Sequence, residues 1–118
     1  MLNWTIPSRV YLACGATDMR KSIDGLAAMV SLEFKLDVFS DCMFAFCNRE
    51  RNKLKILYWE HNGFWLYYRR LERGRFRWPN ADQAGPIAIS RRQLGWLLEG
   101  LNLEQTQAHG EVLARRVA

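Results

Sequence analysis

Near Cys42 the hydrophobic period of this sequence changes, and that change sets the kinds of element it can build. Before it, Met19, Ile23, Leu26, Ala27, Val30 and Phe34 recur at spacings of three and four, which lines one face of a helix. After it come short apolar runs, CMFAFC (42–47), LKILYW (54–59), FWLYYRRL (64–71) and RFRW (75–78), the composition and length of strands. Asn62-Gly63 lies between two of these runs and Arg73-Gly74 before the last; Asn-Gly is the strongest short hairpin signal. RVYLA (9–13), followed by Gly15, adds a short strand near the start. The expected fold class is α+β: an antiparallel β-meander of four to five strands, packed with one long helix in the N-terminal half and one short C-terminal helix.

The long helix is expected from near Asp18 to near Phe34, with Thr17 or Asp18 as its N-cap. PNADQAGP (79–86) reads as a loop. Ser90 and Gln93 match a capping box, and Leu94, Leu97, Leu98 and Leu101 line the face of the helix that follows, which Gly100 and Asn102 end. Residues 1–103 are therefore expected to form a single domain and residues 104–118 a loose polar tail. A chain of 118 residues is long enough for one core and short for two.

Charge supplies the first functional pointer. The chain carries 17 Lys and Arg against 12 Asp and Glu, a net +5, and 13 of the cations are Arg, the better residue for forked phosphate contacts and for stacking on bases. Nine of them (Arg49, Arg51, Lys53, Lys55, Arg69, Arg70, Arg73, Arg75, Arg77) fall between Asn48 and Trp78 beside three acids. A basic stretch this dense favours polyanions, and nucleic acid first among them; a solvated surface is the competing explanation. Three Cys without C-x-x-C spacing indicate reduced thiols, and with no export signal or long apolar run the expected location is cytoplasmic, with no membrane partner.

A two-residue turn at Asn62-Gly63 would set Lys55 across from Arg70, and one at Arg73-Gly74 would set Arg70 across from Arg77. Three cations would then cross three strands in a row, with Leu57, Trp59, Leu66 and Tyr68 on the same face, a phosphate track with rings for bases. Arg20 and Lys21 would sit in the first turn of the long helix, where the helix dipole disfavours them, unless Asp18 and Asp24 compensate, Asp24 lying four residues after Arg20. The expected nucleic-acid-binding residues are thus Arg20, Lys21, Lys55, Arg69, Arg70, Arg75 and Arg77.

Catalysis finds little support. His61 and His109 stand apart from any Ser or Cys arrangement, and no H-E-x-x-H, phosphate-binding loop or EF-hand pattern occurs. Asp18 and Asp24 could hold a metal with Glu50 or Glu60, the basis of a less favoured metal-dependent nuclease. No cofactor is called for.

The strings TDMRKSIDGLAAMV (17–30), LKILYWEHNGFWLYYRRLERGRFRWP (54–79) and SRRQLGWLLEGL (90–101) occur together and in order. From about Arg9 to Leu103 the chain resembles the small TnpB-type accessory protein, the second open reading frame product, of bacterial insertion-sequence family sixty-six, which is distinct from the RNA-guided nuclease of the same name. The matching positions are Thr17, Asp18, Met19, Arg20, Lys21, Asp24, Gly25, Leu71, Glu72, Gly74, Arg75, Phe76, Trp78 and Pro79. The resemblance implies a non-catalytic role in transposition, beside a separate, larger transposase of the same element that does the chemistry. It offers no catalytic residue to carry over, and it covers neither the three Cys nor the tail with Arg115 and Arg116. Two partners stay open: the DNA of the element's ends, through the basic region, and the transposase, through an apolar patch such as Trp96 and Leu97.

Overall fold

A computed structural model describes residue 7, residues 9–80 and 85–100, and residue 103. Alternating apolar residues build the strands β1 (Arg9–Leu12), β2 (Met43–Cys47), β3 (Lys53–Glu60), β4 (Gly63–Arg70) and β5 (Ile87–Ser90), joined in one sheet of order β4-β3-β2-β1-β5. The fold is α+β, but the sheet is mixed and not the antiparallel meander expected. β1 and β2 run parallel, Val10 beside Met43 and Leu12 beside Ala45, while all other neighbours are antiparallel. The cause is the intervening helix: a strand followed by a helical crossover returns in the same direction, which no tight turn can do. β5 falls between the expected loop at 79–86 and the Ser90 cap, a stretch given no element in the sequence; it is the fifth strand and pairs antiparallel with β1, Val10 beside Ile89.

The sheet is covered on both sides. On one face α1 (Ile23–Ala28) and the π-helical turn that continues it (Met29–Glu33) bring Leu26 and Val30 onto Phe44, Phe46 and Leu57. On the other, α2 (Arg91–Leu98) brings Leu94 and Leu97 onto Val10, Leu12, Met43, Ala45, Leu54 and Ile56. β2 lies at the centre and is buried along its whole length. Its side chains alternate between the two cores, Phe44 and Phe46 to one, Met43, Ala45 and Cys47 to the other.

The first helix is shorter than its apolar pattern. Met19 packs on the same core as Ile23 and Phe34, so the spacing reported burial correctly, but residues 19–20 form a turn and helix begins only after Ser22. At the other end the Phe34 N–H donates to Met29 O at 3.0 Å, the wide π spacing, and Lys35 takes φ 55°, which stops the helix. The second helix starts as expected: Ser90 Oγ accepts from the Gln93 N–H at 3.1 Å and Gln93 Oε1 accepts from the Ser90 N–H at 2.9 Å. Leu101 and the tail at 104–118 lie outside the described residues.

Candidate nucleic-acid interface

The β2–β3 connection is a self-tied turn. Asn48 Oδ1 accepts from the N–H groups of Asn52 and Lys53, both at 3.0 Å, and its Nδ2 donates to Asn52 Oδ1 at 2.8 Å. That leaves Arg51 in the left-handed region at φ 63° and turns Arg49 and Arg51 outward. The chain after β4 is then fastened to this turn, Leu71 N–H donating to Asn52 O at 2.8 Å and Phe76 N–H to Arg51 O at 2.7 Å.

Residues 75–78, expected as a strand, pair with none. They alternate all the same: Phe76 and Trp78 are buried in the core beneath α2 while Arg75 and Arg77 stay exposed. Trp78 Nε1 donates to Ala13 O at 2.9 Å and Gly15 N–H to Pro79 O at 2.9 Å, so two anchors hold the segment against the end of β1. Gly74, at φ 77°, makes the preceding turn, a conformation that a side chain disfavours.

These pieces enclose a groove of about 1410 Å³ lined by Arg49, Arg51, Arg69, Arg73, Arg75 and Arg77, with the end of α2 as its far wall. Glu50, Glu72 and Glu99 also line it, so six guanidinium groups face three carboxylates. Arg69, Arg75 and Arg77 were expected; Arg49, Arg51 and Arg73 were visible in the charge count but sit on turns, which a strand-based reading passed over.

The remaining expected residues lie elsewhere. Arg69 and Arg70 are consecutive on β4 and so point to opposite faces. Arg70 is on the α1 side, its Nε 2.8 Å from Glu72 Oε2, and it lies across from Lys53, not Lys55. The row Lys55, Arg70, Arg77 therefore does not exist: the hairpin turns on His61 and Asn62, at φ 48° and 71°, two residues from the expected register, and there is no strand at Arg77. Lys55 is half-buried and acts as a tether, its Nζ donating to Met19 O at 2.7 Å and Lys21 O at 2.9 Å, with the Tyr68 ring 5.9 Å away. Leu57, expected on the exposed face of the phosphate track, is fully buried beneath α1.

Arg20 precedes the helix and, of the two carboxylates expected to compensate it, pairs with Asp18 at 2.8 Å. The Arg20 side-chain and backbone hydrogen bonds hold the Asp18 carboxyl at about 2, below its usual 3.8. Lys21 is also ahead of the helix; a Cβ on Gly25 would stand 3.3 Å from Lys21 Cβ, so the glycine makes room for the lysine stem. Of the apolar patch expected on α2, Leu97 belongs to the core and Trp96 is half-buried with the Arg92 guanidinium 6.0 Å from its ring. Among the described residues no three His, Cys, Asp or Glu side chains are grouped to hold a metal ion, and no helix is long and apolar enough to cross a membrane.

The family model described as IS66 Orf2 like protein matches residues 8–108. The chain belongs to the IS66 Orf2-like family. That membership points to an accessory part in transposition, and residues 71–77 of the motif block form one wall of the arginine groove. Two proteins of Sinorhizobium fredii (strain NBRC 101917 / NGR234) are similar to this IS66 Orf2-like chain. One, y4hO, described as uncharacterized, is 40% identical over 99 residues, covering 84% of this chain and 85% of its own length. The other, y4jC, also described as uncharacterized, is 28% identical over 94 residues, 80% of each. No solved structure matches.

Proposed function

We propose that this chain is a non-catalytic accessory protein of an IS66-type insertion sequence and binds the element's DNA through the arginine groove. One observation carries the reading: six arginines from three separate segments converge on one depression. The three carboxylates in the groove offset half of that charge; the surplus favours a further anion, and planar guanidinium groups match phosphate oxygens two at a time. Arginines gathered this way engage the phosphate backbone first, so affinity comes mainly from phosphate and falls steeply with salt.

Fluorescence anisotropy with a labelled duplex from the element's end and a random duplex tests this. Binding at low salt should be lost in the Arg75→Glu, Arg77→Glu variant, whose side chains are exposed and whose anchors Phe76 and Trp78 are untouched. Absence of wild-type binding to either duplex at low salt would sink it.

Docking on the larger transposase is the second reading, and one feature favours it. Phe39, 58% exposed, stacks edgewise on Trp59 at 4.9 Å and lies 5.9 Å from Phe64, an aromatic cluster open to solvent where interfaces gain most. Co-purification of the transposase with wild type but not with Phe39→Ser would support it.

A further inference from the structure

The sheet ends on one side at β4, whose geometry fits a second copy of itself. Its two-residue turn makes Glu60 and Gly63 the closing hydrogen-bonded pair, and such pairs alternate along the ladder. The N–H and C=O groups of Phe64, Leu66, Tyr68 and Arg70 therefore point away from β3. Among the described residues nothing pairs with that edge. Natural edge strands are guarded by shortness, charged side chains (Lys above all), Pro or bulges. β5, the opposite edge, has four residues; β4 has eight, pairs one-for-one with β3 throughout, contains neither Lys nor Pro, and carries charge only in its last two residues, Arg69 and Arg70.

We propose that β4 pairs antiparallel with β4 of a second copy of this chain in a register centred on Tyr67, forming a two-fold dimer with a continuous ten-stranded sheet. The two-fold axis is normal to the sheet, so each residue meets one of the same face. Centring on Tyr67 opposes Phe64 to Arg70, Trp65 to Arg69 and Leu66 to Tyr68 of the other copy, and it engages all four outward-facing residues of each strand. Each cation then lies against an aromatic ring, a favourable pairing, and no cation faces a cation. Trp65 and Tyr68, 45% and 53% exposed, both take part. A shift to Leu66 would put Arg69 opposite Gly63; a shift to Tyr68 would carry Phe64 past the end of the strand. Because the axis preserves faces, both arginine grooves open on the same side of the dimer.

Sedimentation equilibrium of the full chain without DNA should give the mass of a dimer. Tyr68→Pro removes an outward N–H and leaves β3 its partners; with its circular dichroism unchanged, it should weaken the dimer by about tenfold or more. Should that variant not fold, cysteine pairing decides. In a Cys14→Ser, Cys42→Ser background, chains with Trp65→Cys and Arg69→Cys oxidised together should cross-link far more than either alone, since a non-hydrogen-bonded pair sits at disulfide distance. A wild type that stays monomeric at high concentration, a dimer unmoved by a folded Tyr68→Pro, or cross-linking no greater in the mixture would each overturn the proposal. A monomer that still bound duplex would leave the groove reading standing.

Discussion

The Asp18 carboxylate takes the Arg20 backbone N–H at 2.9 Å and the guanidinium at 2.8 Å, and these hydrogen bonds keep it ionised down to about 2. A carboxyl whose folded value is depressed stabilises the fold above its unfolded value and loses that contribution as pH falls. The Asp18 contribution is thus present above pH 3.8 and disappears between there and about 2. A carbon-detected NMR titration should place its midpoint near 2, and Arg20→Gln should move it back up. Cys47 shows the opposite sense: burial pushes its thiol to about 11, so at pH 8 a thiol reagent should modify the half-buried Cys14 and Cys42 while Cys47 reacts only on unfolding, followed by mass spectrometry. At this scale the sequence was legible in parity and blind to partner. Leu57, Trp59, Leu66 and Tyr68 were rightly put on one face because a slip of two residues preserves faces. Lys55 carries no local sign of its role, since the two main-chain carbonyls that meet its ammonium come from residues 19 and 21.

Lys55 and Trp78 are each the joint between two elements, and their removal should be felt as stability, not affinity alone. Lys55→Met takes a charged donor from two carbonyls and should cost roughly 1–3 kcal/mol in urea unfolding. Trp78→Ala empties a buried site and frees the segment at 71–79; a loss of about 3–5 kcal/mol is expected by the same measurement. Strands β1 to β4 and the start of α2 were readable because alternation and the Ser90 cap are local signals. β5 was not, since Ile87–Ser90 is four residues long, directly follows Pro86 and holds a single buried position, Ile89. The parallel β1–β2 pair escapes local signals, because the helix between the two strands sets its direction. The arginine groove was half legible: its charge is written in the sequence, but its shape depends on a turn tied by Asn48 and a segment pinned by Trp78.

For the molecule as a whole, phosphate binding predicts a linear fall of log affinity with log salt, and each groove arginine changed to Ala should lower that slope by about 1. Arg20→Ala, on the other face, should leave the slope as it was. The sheet order has a further consequence for how the chain reaches this state. β1, near the start, lies between β2 and β5, so its second neighbour arrives only with residues 87–90. Contacts between residues as far apart as Arg9 and Ser90 must wait for a long loop to close, which slows folding relative to a meander of the same size. During synthesis the β3–β4 hairpin can form early, while the flank of β1 stays open until the last strand has emerged from the ribosome. Selection on such a chain therefore falls on its late-made segment as much as on its charged middle, since an unfinished copy presents a bare sheet margin inside the cell.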